Sequence, residues 1–158
     1  MLNKRFPLFV FLFLQALCLA AQSSFVWWNP ARHAFPVIEG QAWNQEVQQR
    51  YDRLPGRAEK QVRPAVWNLS RQSAGLFIRF KSNSNQITIR YQIKGNQALP
   101  HMPATGVSGV DLYARSPHGD FWWCNGKYAF GDTITYRYTN LQTNDKGNEY
   151  RLYLPLYT

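Results

Sequence analysis

The chain has 158 residues, with 18 basic and 9 acidic side chains, a formal net charge of +9 and a hydrophobic share of 45%. This length suits one domain of about 100–150 residues and excludes a two-domain enzyme with a separate cofactor module. The hydrophobic share excludes a disordered tail, and only two cysteines exclude a disulfide-dense miniprotein. The positive charge alone leaves nucleic acid open as a partner.

Residues 1–20 predict a secretory signal peptide. Lys4 and Arg5 precede the apolar run 8–14, and the small residues 18–21 follow it before a polar stretch. This order is the pattern of a cleaved signal sequence, and the run is shorter than the roughly 20 residues of a spanning helix. We therefore expect a secreted or periplasmic chain without a stable membrane anchor. Lipidation at Cys18 is the lesser alternative.

Loss of that segment changes the charge and the cysteine count. Removal of Lys4 and Arg5 lowers the formal charge from +9 to +7, and Cys124 becomes the only thiol. An internal disulfide is then excluded. The chain has neither zinc-finger spacing nor a dense basic run. We therefore expect no nucleic-acid partner, and attribute the charge to solubility or to acidic glycans.

The first half of the remaining chain offers one weak helix and one hairpin. Residues 41–54 are the only stretch that could form a short helix, and their apolar periodicity is poor. In residues 76–81 and 87–94, apolar and polar side chains alternate, which is typical of strands with one buried face. The turn-forming residues 82–85 separate the two runs, so the pattern predicts a hairpin.

The second half predicts a long loop and four further strands. Gly95–Gly109 is a loop of a length that tends to be functional or disordered. Residues 110–114 and 121–124 predict a second hairpin, and residues 133–139 and 150–156 continue the alternation. Such strand-like segments, separated by turn residues, predict an all-β fold. We expect an antiparallel, jelly-roll-like β-sandwich.

The sequence presents no catalytic site of its own. Among the possible bases, His118 lies in a predicted turn, His33 has no evident partner, and His101 lies in the long loop. Cys124 ends an aromatic strand and fits a small buried hydrophobe. The chain lacks a Gly-x-Ser-x-Gly elbow and metal-ligand spacing. We therefore predict no catalytic residue, no metal and no cofactor.

The segment 102–113 resembles a known family. Its residues Gly109-Val110-Asp111-Leu112-Tyr113 match the Gly-x-Asp-Leu-Tyr motif that names the N-terminal domain of SGNH-type, GDSL-like esterases. The resemblance extends over residues 25–158. Further matching blocks are Tyr51-Asp52-Arg53-Leu54-Pro55, Val66-Trp67-Asn68-Leu69-Ser70, Gly131-Asp132-Thr133-Ile134-Thr135-Tyr136 and Tyr153-Leu154-Pro155-Leu156-Tyr157.

The resemblance implies a β-sandwich that precedes a separate hydrolase domain. In that family the hydrolase domain carries the catalytic serine, the oxyanion-hole residues and the histidine, and none of these can be carried over to this chain. The expected function is a non-catalytic accessory domain of a secreted carbohydrate-type esterase, with the hydrolase domain as its partner in cis. The end of the chain at Thr158 leaves two expectations open. The first is whether the sandwich lacks its last strand. The second is whether the chain is a fragment, a split gene product or a truncation.

Alternation along the motif indicates which side chains could contact that partner. Asp111 and Tyr113 point away from Val110 and Leu112 in a strand, so a buried Leu112 leaves Asp111 to water, a partner or a hydrogen-bond network. The interpretation that Asp111 only holds neighbouring loops together stands equally. The loop with His101 is the other candidate contact.

Aromatic residues support a second hypothesis, a stand-alone sugar-binding module. Tryptophan offers a flat apolar face with a polar edge, which suits stacking on sugar rings. The pairs Trp27-Trp28 and Trp122-Trp123 would place one ring on each face of a strand, although core or interface roles are favoured. The candidate contact residues for a partner domain or a substrate are His101, Asp111, Tyr113, Trp122 and Trp123.

Overall fold

A computed structural model describes residues 25–157, and the predicted signal segment 1–20 lies outside the described residues. The predicted all-β sandwich is confirmed, because the chain folds into two antiparallel sheets. No helix within the described residues is long and apolar enough to cross a membrane. The strands are β1 (Ile38–Glu39), β2 (Phe77–Ser82), β3 (Ile87–Tyr91), β4 (Asp111–Arg115), β5 (Phe121–Trp123), β6 (Gly126–Ala129), β7 (Ile134–Tyr138) and β8 (Asn148–Tyr153).

The two sheets differ in size and in how the chain connects them. One sheet has five strands in the order β1-β2-β8-β4-β5, and the other has three in the order β3-β7-β6. Strand β8, the last along the chain, lies in the middle of the larger sheet between β2 and β4. The central position of β8 joins the two parts of the larger sheet, which are distant in sequence.

The first predicted hairpin is wrong. Strands β2 and β3 belong to different sheets, since β2 pairs with β1 and β8 and β3 pairs with β7. Ser84 does form a tight turn, with its Oγ accepting from the Gln86 amide at 3.1 Å, but this turn carries the chain between the sheets. An alternating pattern reports one buried face and does not name the pairing strand.

The second predicted hairpin is confirmed. Strands β4 and β5 are antiparallel neighbours, with Tyr113 opposite Trp123 and Ala114 opposite Trp122. The intervening turn closes where the Ser116 amide donates to the Asp120 carbonyl at 2.7 Å.

Residues 41–54 contain no helix, so the helix prediction there is wrong. The segment forms turns, and helix α1 (Pro64–Ser70) follows instead. Pro64 occupies the first helical turn, where its missing N–H is not needed, and Trp67 is buried on the inner side. Short 3₁₀ turns lie at Pro30–Arg32 and Gly56–Lys60.

The long segment Gly95–Gly109 has a defined conformation that includes the short helix α2 (Ala104–Val107). Leu99 and Met102 form an isolated bridge at its centre. Ser108 is fully buried and its Oγ donates to the Gln97 carbonyl at 2.7 Å. These contacts lie within the segment, and the Gln97 side-chain amide joins it to the sandwich by donating to the Gly131 carbonyl at 2.7 Å.

Tyrosines supply the large side chains of the core. Tyr138 on β7 and Tyr150 on β8 are almost completely buried, and they pack with Ile134, Leu112 and Leu152 between the sheets. The core is therefore wide enough to be filled by phenol rings, and their hydroxyls need partners. The buried core cluster comprises Ile38, Leu76, Ile78, Val110, Leu112, Ile134, Tyr136, Tyr138, Tyr150 and Leu152.

Candidate functional site

The glycine of the family motif is required by a close backbone approach. A Cβ on Gly109 would lie 2.1 Å from the carbonyl oxygen of Thr105 and 2.8 Å from the Tyr136 hydroxyl. Neither α2 nor the start of β4 leaves room for a side chain here. Val110 and Leu112, the next alternate positions, are 4% and 0% exposed and join the core. Gly109, Val110 and Leu112 therefore serve the packing of the domain.

The other half of the motif faces outward. Asp111 is exposed, and its Oδ1 accepts a hydrogen bond from the indole Nε1 of Trp123 at 3.1 Å. Tyr113 lies opposite Trp123 in the hairpin and packs edge-on against Tyr153 of β8, with ring centroids 5.6 Å apart. The motif thus contributes side chains to the outer face of the five-stranded sheet.

Arg151 lies at the centre of this outer face. Its guanidinium is 3.9 Å from the ring centroid of Phe121 and 5.3 Å from that of Phe77, so aromatic rings contact the cation from two strands. Its Nε is buried without a hydrogen-bond partner. Phe77 also packs on Tyr153 at 5.3 Å. We call this surface the aromatic face; it comprises Phe77, Asp111, Tyr113, Phe121, Trp123, Arg151 and Tyr153.

The structure brings together three of the five predicted contact residues. Asp111, Tyr113 and Trp123 share the aromatic face. Trp122 lies on the other side of β5, opposite Ala114, and is 60% exposed. His101 is exposed in the segment before α2, and no described contact joins its side chain to the other four.

The residues that sequence reasoning missed are Phe77, Phe121, Arg151 and Tyr153. Phe77, Arg151 and Tyr153 each follow or precede a buried residue of their strand, so their outward position could be predicted from the alternation. Phe121 could not be placed in this way, because its neighbour Trp122 is exposed. That these four residues lie together could not be predicted from the sequence, because it depends on β8 lying between β2 and β4.

Of the expected core or interface roles of the paired tryptophans, the core role is wrong. Trp27, Trp28, Trp122 and Trp123 are each between 43% and 60% exposed. Trp27 and Trp28 also lie outside any strand, so they are not on opposite faces of one. Their rings are therefore accessible in this domain.

The titratable and nucleophilic groups do not assemble into a catalytic arrangement within residues 25–157. His33 Nδ1 accepts from the Trp28 indole at 3.3 Å, and no described hydrogen bond joins a histidine ring to a hydroxyl or thiol. Burial raises the pKa of the Cys124 thiol, partly offset by a hydrogen bond involving the Ala114 backbone, so the less nucleophilic thiol form predominates near neutral pH. No three metal-ligating side chains gather in this part of the chain.

A cleft of about 1810 Å³ opens between the sheets on the side of β2 and β3. Its apolar wall includes Phe80, Ile87 and Ile89, and Trp28 packs against Phe80 with ring centroids 6.0 Å apart. The lining includes none of the five predicted contact residues. The cleft is therefore separate from the aromatic face.

Two substitutions test the role of the motif carboxylate. We expect Asp111→Ala to lower the free energy of unfolding by about 0.5–1 kcal/mol, because the Trp123 indole loses its acceptor at an exposed site. Asp111→Asn keeps an oxygen acceptor and should cost less than half as much. Urea unfolding of both variants measures the difference, and equal losses would show that charge rather than hydrogen bonding matters.

Two packed antiparallel sheets, one with an exposed aromatic outer face, define an all-β sandwich domain. The chain belongs to the family described as "GxDLY: N-terminus of Esterase_SGNH_hydro-type", whose model matches residues 25–158. This confirms the resemblance carried by the Gly109–Tyr113 motif. The family forms the N-terminal part of SGNH-type esterases.

A solved structure similar to the chain is that of a GDSL-like lipase from Bacteroides ovatus. It is 28% identical, with a TM-score of 0.66, and the match covers 76% of this chain. The match covers 34% of the lipase, so the chain spans about a third of that protein's length. Comparison with curated proteins finds no match.

Proposed function

We propose that the chain is a non-catalytic accessory domain of a secreted SGNH-type esterase that acts on carbohydrate esters. Its aromatic face docks against the hydrolase domain and helps to shape the substrate cleft. The observation that carries this proposal is the clustering of the outward motif residues, Asp111 and Tyr113, with Trp123, Tyr153 and Arg151 on one sheet face.

The composition of the aromatic face suits a domain interface. Trp123 is 56% exposed and Tyr153 is 36% exposed, and they adjoin three further aromatic rings. Contiguous apolar patches on soluble domains mark interaction sites, and tryptophan, tyrosine and arginine dominate the energetics of interfaces. The unsatisfied Nε of Arg151 adds a polar group that a partner at this face could reach after rearrangement.

The accessory role implies that catalysis takes place in the hydrolase domain and that the chain is secreted. The serine, the oxyanion hole and the histidine belong to the hydrolase domain, and this chain supplies shape and support. The purified chain alone is expected to hydrolyse a chromogenic acetyl ester no faster than background. The signal-like residues 1–20 support secretion.

The test first reads the DNA downstream of codon 158, and then pairs this chain with the hydrolase domain expected there, produced as a separate polypeptide. We expect the two to associate in titration calorimetry, and the double variant Trp123→Ala/Tyr153→Ala to weaken association at least tenfold, because both rings leave the interface centre. Trp122→Ala is the matched control on the other side of β5 and should change affinity less than twofold.

Two outcomes would contradict this docking proposal. One is an unrelated gene downstream of the chain. The other is an association that the double variant leaves unchanged, which would place the interface elsewhere on the sandwich.

The exposed tryptophans favour a second candidate, a sugar-binding module. Trp122 and Trp123 present accessible rings on opposite sides of β5. Retardation of the chain by one neutral polysaccharide in an affinity gel, lost in Trp122→Ala or Trp123→Ala, would support this candidate. Absence of retardation across a glycan panel would count against it.

A further inference from the structure

The outer face of the three-stranded sheet carries cations and hydroxyls. On β7, the alternate residues Ile134, Tyr136 and Tyr138 are buried against the core. Thr135 and Arg137 therefore point to the opposite side, away from the core. Pairing of β7 with its two neighbours places the equivalent side chains of β3 and β6 on the same face.

The strand register places these side chains in adjacent rows. Arg137 lies opposite Thr88 of β3 and opposite Lys127 of β6. Arg90 lies opposite Thr135 in the next row. Neighbouring strands are about 4.8 Å apart, so the three cations share one small surface. We call this surface the basic face; it comprises Thr88, Arg90, Lys127, Thr135 and Arg137.

The basic face lacks the counter-charges found on the other sheet. Strands β3, β6 and β7 contain no aspartate or glutamate, and the turn between β6 and β7 carries one acid, Asp132. Among the described residues, none of the three cations forms an ion pair. On the five-stranded sheet, by contrast, acids pair with two of the three outward arginines, and the third, Arg151, is packed against aromatic rings. The ion pairs there are Arg79–Glu39 at 2.7 Å and Arg115–Glu149 at 3.2 Å.

One of these cations is held by an aromatic ring. The Arg90 guanidinium lies 4.9 Å from the ring centroid of Trp27, which precedes β1. This contact restricts the guanidinium without neutralising it. Like charges on neighbouring positions of a sheet repel one another, so an anion bound across the face would offset that repulsion.

We propose that the basic face binds a linear acidic polysaccharide. Anionic groups at intervals along such a polymer match cations at Arg90, Arg137 and Lys127, and Thr88 and Thr135 supply hydroxyls for its polar groups. The basic face shares no residue with the aromatic face. It would keep the domain on an acidic glycan while leaving the five-stranded sheet free.

A polysaccharide fits this face better than an anionic membrane. Peripheral membrane binding combines basic residues with apolar side chains that enter the lipid boundary. The outward positions of β3, β6 and β7 offer only Ala129 as an apolar side chain. The large apolar ring that reaches this face, Trp27, is stacked on the Arg90 guanidinium, and the other outward strand positions are polar or charged.

The test measures binding of the full chain to polygalacturonate, with heparin as the sulfated arm and arabinoxylan as the neutral one. We expect binding to at least one acidic polymer that weakens as salt rises, since exposed charges are screened. The variant Arg90→Gln/Lys127→Gln/Arg137→Gln should lose at least tenfold in affinity. The control Lys60→Gln/Arg63→Gln/Lys146→Gln removes equal charge elsewhere and should lose less than twofold.

Three outcomes would overturn the proposal. Equal losses in the two triple variants, with both folded by circular dichroism, would reduce the effect to net charge and overturn the proposal. So would binding to neither acidic polymer, or tighter binding to phosphatidylglycerol vesicles than to either of them. Retained binding in Trp123→Ala/Tyr153→Ala would separate this site from the docking surface.

Discussion

Replacement of Gly109 by alanine is expected to lower the free energy of unfolding by about 3 kcal/mol, the upper part of the range for overpacked interiors. The added Cβ would meet the Thr105 carbonyl at 2.1 Å, and a backbone atom cannot rotate away as a side chain can. Relief requires that α2 separate from β4. That movement would disturb Val110 and Leu112, which are buried next to it.

Gly131→Ala is the matched control for this prediction. A Cβ at Gly131 meets nothing within 4 Å, so this variant should lie within about 0.5 kcal/mol of the parent. Urea unfolding followed by circular dichroism compares the two. A Gly109→Ala variant as stable as Gly131→Ala would mean that α2 is free to move, and the structural reason for the motif glycine would be lost.

Six of the eight described strands could be predicted from the sequence, whereas β1 and β6 were missed, and the β4–β5 hairpin was the pairing that was predicted correctly. Alternation in residues 76–81 and 133–139 located β2 and β7 closely, because one buried face leaves a period of two in the sequence. The alternating pattern does not specify which strands pair, so β2 and β3 were wrongly predicted to form a hairpin. Their true neighbours, β8 and β7, are distant in sequence, and only packing selects them.

Only part of the candidate site could be predicted from the sequence, for the same reason. The motif placed Asp111 and Tyr113 on one strand face, and the adjacent hairpin strand supplied Trp123. Arg151 and Tyr153 come from β8, which enters the sheet from the end of the chain. A local pattern cannot reveal a residue that reaches the site through long-range strand order.

The two outer faces of the sandwich expose different kinds of side chain. The five-stranded sheet pairs Arg79 and Arg115 with acids, packs Arg151 against aromatic rings, and exposes Trp123 and Tyr153. The three-stranded sheet leaves Arg137 and Lys127 unpaired among the described residues. The two proposals therefore use different faces of the domain, so the docking surface and the proposed polymer site share no side chain.

The folded chain is expected to lose stability steeply above about pH 10. Burial raises the pKa of Tyr138 above its ordinary value, assisted by the nearby Tyr136 and Asp111. Burial likewise raises the pKa of Tyr91 and of Tyr150. Unfolded tyrosines ionise near pH 10 while the folded ones keep their protons. The stabilisation is thus fully present below pH 10 and is lost as the pH rises past it.

Each tyrosine that stays protonated in the fold removes up to about 1.4 kcal/mol per pH unit above that point. Urea unfolding between pH 8 and about pH 12 measures the slope, and Tyr138→Phe should reduce it by up to one such contribution. Ile134→Val is the control, because it costs about 1 kcal/mol at every pH and leaves the slope unchanged. A Tyr138→Phe slope equal to that of the parent would show that the Tyr138 phenol ionises as readily in the fold as in the unfolded chain.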